Sequence, residues 1–320
     1  MQASDDLLEC VRRTGLLEAG RPVVVLVSGG RDSVCLLDVA TRLAGRDAVS
    51  ALHVNYGLRP ESADDEEHCR ALCSRLGVRL DVHGARRPDG AGNLQAWARD
   101  VRLGAGTRLA TARNARLATG HTASDQAETV LYRLAASPGR RALLGMARRD
   151  GLLVRPLLGV SRAQTAAHCE ARDLAWCEDA SNASPAYARN RARAGLVPAL
   201  RELHPAAEAN VVATAELLRE EAAVLDEVVA TALAGRDHIA VEHLAALPPA
   251  LARLVVRRLA EDAAGRLCAR ATGRLADILA LGDGALDLGD GARAVVAGGV
   301  LRVRPTPPGA SAPARSPAPG

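Results

Sequence analysis

Short apolar, β-branched-rich runs alternate with stretches of helical periodicity through the first half of the chain. The apolar runs fall at 23–27, 49–54, 78–82 and 115–119, with a weaker one at 152–154. Helical stripes lie between them, near 33–44, 61–76, 93–112 and 124–135. This alternation predicts βαβ units and an α/β fold with a doubly wound, mainly parallel sheet. Ligands of such sheets lie beyond the carboxyl ends of the strands, and the polar motifs below begin at those ends. From residue 206 the texture changes. A long Ala/Leu/Glu/Val helix pattern over 206–233 is followed by helical stretches at 250–264 and 272–281. Alternating runs at 285–288, 293–296 and 300–303 are split by Gly-Asp-Gly and Gly-Gly, which predicts a small antiparallel meander. The expected organisation is an α/β domain over 1–205, a smaller α+β domain over 206–304 and a disordered Pro/Ala/Gly/Ser tail over 305–320.

The first strand, Val23-Val24-Val25-Leu26-Val27, runs straight into Ser28-Gly29-Gly30-Arg31-Asp32-Ser33, and an apolar helical stripe begins at Val34. Two glycines let a backbone bend closely around an anion, and the following helix N-terminus turns free N–H groups and partial positive charge toward it. Taken alone, the loop is equally an ordinary βα turn. All 41 basic residues are arginine, so a Walker loop, which needs a Gly-Lys pair, is excluded. Net charge is only +4, which neither demands nor forbids a polyanionic partner. No stretch approaches the ~18 consecutive apolar residues of a membrane helix, and the N-terminus lacks signal-peptide features. The seven cysteines include no Cys-x-x-Cys pair; Cys69 and Cys73, beside His68, read as structural thiols. The cytoplasm is the expected compartment.

Further polar segments follow in order. His53-Val54-Asn55-Tyr56-Gly57-Leu58-Arg59 succeeds the second strand, and the segment from Asn93 to Arg102 opens a helix. Thr119-Gly120-His121-Thr122-Ala123-Ser124-Asp125-Gln126-Ala127-Glu128 succeeds the fourth strand. Arg155-Pro156-Leu157-Leu158 comes next, then Glu178-Asp179-Ala180-Ser181-Asn182, then Tyr187-Ala188-Arg189-Asn190-Arg191-Ala192-Arg193. The Ser-Gly-Gly-x-Asp-Ser loop resembles that of the N-type ATP pyrophosphatases, which have an adenine nucleotide alpha-hydrolase-like fold. The whole ordered set, over about 20–205, resembles the tRNA(Ile)-lysidine synthetase family. His-Val-Asn-x-Gly-Leu-Arg and Arg-Asn-Arg-x-Arg carry that narrower likeness.

The resemblance implies a ligase that adenylates the base oxygen on C2 of the first anticodon cytidine of a CAU-bearing tRNA(Ile) and then joins free L-lysine to C2, displacing AMP, with a possible homodimer. Such chemistry needs positioning and charge stabilisation rather than a covalent nucleophile. By resemblance, Ser28, Gly29, Gly30, Arg31, Asp32 and Ser33, with His53 and Asn55, bind ATP, and Asp32 orients Mg²⁺ or the loop. The expected catalytic set is Asp32, His121, Asp125, Glu128 and Arg191. Asp125 and Glu128 are three apart on one helical face, as suits a cationic substrate, but a helix-capping acid pair has the same spacing. Arg189, Arg191, Arg193 and Arg201 are expected to meet RNA phosphate or the reacting phosphoryl group, with a solvated face as the alternative. Tyr187 is a stacking candidate and Trp97 a core residue. Asp179 and Asn182 form a motif turn or a structural Asx-turn. Tyr56, Gln95, Leu103 and the turn at 136–139 depart from the family pattern. A tRNA thiolase and a non-catalytic tRNA-binding descendant are the competing readings.

Overall fold

The computed structural model describes residues 2–58, 62–88, 90, 92–136, 140–177 and 191–306. Their contacts divide the chain into two units, residues 1–219 and 220–320, with the division inside a long helix that begins one residue past the texture change at 206.

The first unit is built on strands β1 (Val23–Leu26), β2 (Val49–Asn55), β3 (Arg79–Gly84), β4 (Arg116–Ala118), β5 (Arg149–Asp150) and β6 (Leu153–Val154). They line up in the order β3-β2-β1-β4-β6-β5. All adjacent pairs are parallel except β5–β6. The predicted doubly wound sheet is therefore present, with one short antiparallel edge that the sequence reading did not include. β1 is apolar at all four positions and buried throughout, as a strand covered on both faces requires. Its neighbours, β2 and β4, belong to oppositely directed halves of the strand order, so the crevice between their ends is the topological switch point.

Helices α2 (Arg31–Ala44), α3 (Ser62–Leu76), α4 (Leu94–Ala112) and α5 (Ala123–Ala136) cover the sheet close to the predicted spans. Four α-helices of this unit were missed: α1 (Gln2–Arg12), α6 (Arg140–Leu143), α7 (Arg162–Ala171) and α8 (Val197–Leu203). α1 is held by contacts remote in sequence. Ser4 Oγ lies 3.0 Å from His168 Nδ1 on α7, and His168 Nε2 lies 2.9 Å from Asp38 Oδ2 on α2, all buried. One core, including Leu7, Val25, Leu36, Leu37 and Leu157, lies among α1, α2, α7 and the sheet; a second, including Leu26, Leu117 and Ala110, underlies α4.

The long helix α9 (Ala207–Leu233) leads into the second unit, with β7 (His238–Ala240), α10 (Val241–Ala246), α11 (Pro249–Ala264), a 3₁₀ turn at Ala269–Arg274 and α12 (Leu275–Leu279). The meander β8 (Gly284–Gly289), β9 (Ala292–Ala297) and β10 (Val300–Pro305) is antiparallel as predicted, and gains β7 as an unpredicted fourth strand beside β10. Val255, Val256, Ile278, Leu288 and Leu301 form its core. Pro305 closes β10 opposite Ala292, so strand pairing extends one residue into the span expected as tail; residues 307–320 lie outside the described set. Among the described residues no helix is long and apolar enough to cross a membrane.

Candidate active site at the switch point

The loop after β1 is closed by its own hydroxyls. Ser33 Oγ donates to the Gly30 carbonyl at 2.7 Å and accepts from the Ser28 amide at 3.1 Å, with Ser28 Oγ 3.2 Å away. Gly29 has φ of +83°, a left-handed conformation that side chains with a Cβ disfavour. From the opposite strand, Gly120 approaches so closely that a Cβ there would sit 2.9 Å from the Asp32 carbonyl oxygen. These details bring the ends of β1 and β4 together around the start of α2, where unpaired amides favour an anion.

A cavity of about 1110 Å³ opens over this point. Ser28, Gly30, Arg31, Asp32, Ser33, His53, Asn55, His121 and Asp125 of the expected set line it, and so do the unexpected Arg102, Arg162, Trp176 and Cys177. Its size suits a nucleotide. Asp32 is aimed by Thr165, whose hydroxyl donates to Oδ1 at 2.5 Å, and by Arg31 Nε at 3.2 Å. Asn55 is engaged locally: Oδ1 accepts the Gly57 amide, and Nδ2 donates to Glu66 at 2.9 Å. His53 is buried, donating from Nδ1 to the Val27 carbonyl at 3.0 Å. Both residues line the cavity while tying down the strand ends beside it.

Asp125 and Glu128 are brought together on α5, and the cations they hold are arginines. Arg162 donates through NH2 to Asp125 Oδ1 at 2.5 Å and through NH1 to Glu128 Oε1 at 2.7 Å, and its Nε lies 3.8 Å from Asp32. Arg193 Nε adds a 2.9 Å bond to Glu128 Oε1. Asp125 Oδ2 accepts from the Thr122 amide and hydroxyl at 2.8 and 2.9 Å. Burial by itself would raise the Asp125 pKa, but the Arg162 charge and the Thr122 bonds outweigh it and hold the carboxyl below its ordinary range. Glu128, only 3% exposed, faces away from the large cavity into a smaller one of about 500 Å³, also lined by Arg31, Arg162, Arg193 and Arg201. His121 has its Nδ1 2.8 Å from Thr119 Oγ1; burial brings its pKa down to about 4, Asp125 opposes, and Arg155, Arg102 and Arg99 push the same way as burial. It is a neutral imidazole near pH 7.

The family model for the PP-loop domain matches residues 4–200. The tRNA(Ile)-lysidine synthase of Salinispora tropica is 41% identical over 303 residues, 88% of this chain and 90% of the relative. The chain belongs to the tRNA(Ile)-lysidine synthase family. It is also 39% identical to the synthase of Solibacter usitatus over 79% of its own length, and 41% identical to that of Thermus thermophilus over 75%. It spans only 59% and 47% of those two relatives. Among solved structures, the U34-tRNA thiolase NcsA from Methanococcus maripaludis superposes with a TM-score of 0.57 at 18% identity, covering 67% of this chain and 78% of that one, a likeness of fold alone.

In this lysidine synthase family member, some expected residues fall elsewhere. Arg191 is exposed and outside the cavity lining, whereas Arg193, set by the π-helical turn Ala192–Leu196, reaches Glu128. Arg201 Nε pairs with Glu208 at 2.9 Å. Tyr56, one of the departures, lines the cavity, donates to the Ala98 carbonyl at 2.9 Å and meets Trp97 edge-on at 5.6 Å. Trp97 is half-buried in that contact. Asp179, Asn182, Tyr187, Arg189 and the turn at 137–139 lie outside the described residues. Arg162 is the principal residue missed. A signal existed, because Ser161 and Gln164 form a capping box that announces α7. An arginine at its first position opposes the helix dipole, and carboxylates hold it there.

Proposed function

We propose that this protein joins free L-lysine to C2 of the first anticodon cytidine of tRNA(Ile) bearing CAU, consuming ATP and releasing AMP and pyrophosphate. The observation that carries this reading is the convergence, at one switch point, of the self-closed loop 28–33 with Asp32, Asp125 and two arginines on carboxylates. Loop amides and the α2 N-terminus would hold the departing pyrophosphate. The cytidine oxygen attacks the α-phosphate, and the lysine ε-amine then attacks C2 and displaces AMP.

Mg²⁺ fits as a partner of Asp32. A magnesium ion takes one or two carboxylates and fills its remaining positions with phosphate and water. Asp32 is a single carboxylate on the cavity wall, and among the described residues no three acidic, His or Cys side chains could form an all-protein cage. Bound there, the ion would neutralise phosphate charge.

Arg162 keeps Asp125 ionised, because guanidinium does not lose its proton near neutral pH, and it also pairs with Glu128. Ionised carboxylates can attract the lysine amines, and Asp125 is the one facing the cavity. Neutral His121 is available to accept a proton as the attacking amine loses it. Residues 206–304 would dock the tRNA, and a homodimer in the cytoplasm is the assembly and compartment that accord with the reading.

The deciding experiment incubates the protein with ATP, labelled lysine and a CAU-bearing tRNA(Ile) transcript. Lysine transferred to RNA with stoichiometric AMP supports the proposal. Tight RNA binding without pyrophosphate release would replace it with a non-catalytic binding protein, and transfer of sulfur instead of lysine with a thiolase.

A further inference from the structure

The outer face of the small sheet in the second unit carries charge that the unit itself does not use. Side chains alternate between the two faces of a strand. In β10, Leu301 is buried while Arg302 and Arg304 are exposed; in β9, Arg293 and Val295 alternate with the buried Ala292, Ala294 and Val296. One face is therefore packed on Val255, Val256 and Ile278, and the other meets solvent, as an antiparallel sheet allows. Register sets the arginines side by side. Arg304 stands directly opposite Arg293, and Arg302, two residues along the same strand, stands opposite Val295. Like charges directly opposite on a sheet are unfavourable on their own.

Neighbouring acids leave the three charges standing. Among the described residues, no guanidinium of Arg293, Arg302 or Arg304 makes a hydrogen bond or an ion pair. Asp287 of β8 is in register with Arg293, but its Oδ1 accepts the Gly289 amide at 3.1 Å and no ion pair joins it to the arginine. Asp237 is engaged by His238 at 2.8 Å; Arg302, opposite His238, adds its charge without pairing. Residues 307–320, outside the described set, contain no acidic side chain.

The chemistry of the face narrows its partner. Arginine is permanently charged, and its planar fork matches the geometry of a phosphate. Strands β7–β10 contain no aromatic residue, so the face offers nothing on which an unpaired base could stack. What it presents is a row of phosphate ligands without a means of reading sequence, because phosphate contacts position a nucleic acid and base contacts specify it. We propose, on the reading that tRNA is the substrate, that Arg293, Arg302 and Arg304 form a docking surface for the sugar-phosphate backbone of that RNA. The surface adds affinity but does not distinguish one tRNA from another.

The test is the salt dependence of binding to a CAU-bearing tRNA(Ile) transcript, measured by anisotropy on the full chain between about 50 and about 200 mM KCl. Arg302→Gln with Arg304→Gln should reduce the slope of log affinity against log salt by about 1.4–1.8, at about 0.7–0.9 for each phosphate contact. A tRNA transcript of unrelated sequence should show the same reduction. ATP affinity, and AMP formation at saturating RNA, should stay unchanged. Arg302→Lys with Arg304→Lys, which keeps both charges, should retain the wild-type slope. If the double Gln variant fails to fold, Arg302→Gln alone should still remove about 0.7–0.9. An unchanged slope in a folded variant would overturn the inference and leave the proposed reaction standing. So would a reduction confined to the CAU-bearing transcript, or a loss of affinity for anionic phospholipid vesicles with RNA affinity intact. Failure of the wild-type protein to bind the transcript would overturn both the inference and the proposed reaction.

Discussion

Replacing Arg162 with alanine tests whether the carboxylate pair is held by an arginine rather than by the fold alone. Arg162 bridges Asp125 at 2.5 Å and Glu128 at 2.7 Å; its side chain is 22% exposed, Asp125's 21% and Glu128's 4%. Arg162→Ala would leave Asp32, Asp125 and Glu128 facing Arg31 and Arg193. Removing one partner of a buried ion pair costs about 3–5 kcal/mol. The partial exposure and the remaining Arg193 bond place the expected loss at the lower end, about 3 kcal/mol. Glu128→Gln removes the other end. The Arg162→Ala, Glu128→Gln cycle should return a coupling of about 2 kcal/mol, inside the range for residues in one ion-pair network. Urea unfolding followed by tryptophan fluorescence is the assay. The only tryptophans, Trp97 and Trp176, both lie within residues 1–219, so the signal reports that unit. The arginine holds the Asp125 pKa below its ordinary 3.8. Its stabilisation is therefore present above that value and lost as pH falls through the lower, folded value, so the Arg162→Ala deficit should shrink in acid. A coupling below about 0.5 kcal/mol near neutral pH would refute the bridging role.

His121, with a folded pKa of about 4 against an ordinary 6.5, should add stability above pH 6.5 that is lost as pH falls toward 4; His121→Gln should flatten that dependence by about 2–3 kcal/mol in unfolding measured across the window. Gly120→Ala should destabilise by about 1–3 kcal/mol and weaken ATP binding, because its Cβ meets the Asp32 carbonyl oxygen, and calorimetry with ATP would show both. Asp32→Ala should depress AMP formation about 100-fold or more while RNA affinity stays nearly constant; a collapse of RNA binding would contradict its assignment to the phosphates. Arg193→Gln should leave the salt slope of RNA binding intact, because Glu128 already neutralises that guanidinium, and a fall of about 0.7 would return Arg193 to the RNA interface.

The parallel sheet was legible because its strands are short, β-branched and separated by helical periodicity, the signals that burial on both faces imposes. Loop 28–33 was legible because its requirements are local: Gly29 must adopt positive φ, and Ser33 must reach Gly30 three residues away. What escaped was non-local. α1 is fixed by Ser4 through His168, 164 positions distant, and no pattern within α1 announces that partner. β5 is two exposed residues, too short for alternation to register. Arg162 meets Asp125 across 37 positions and Arg193 meets Glu128 across 65, so the carboxylates looked open to a substrate cation when read alone.

That difference alters how the candidate site would work. Two adjacent carboxylates without a counter-ion, one of them almost fully buried, would repel each other, and one would take up a proton and lose its attraction for an ammonium group. With Arg162 across them the Asp125 carboxyl is held below its ordinary range, and in the proposed reaction the lysine's amines add to an assembled network instead of having to create it. The chain contains no lysine of its own. Every internal cation at the site is therefore a planar, permanently charged guanidinium, and the only primary ε-amine that could enter belongs to the substrate. Arginine can neutralise the carboxylates but, remaining protonated, cannot itself attack C2. In the proposed reaction the counter-ion and the nucleophile are thus kept apart by chemistry as well as by geometry, and an Arg162→Lys variant would remove that separation by placing a second amine on Asp125.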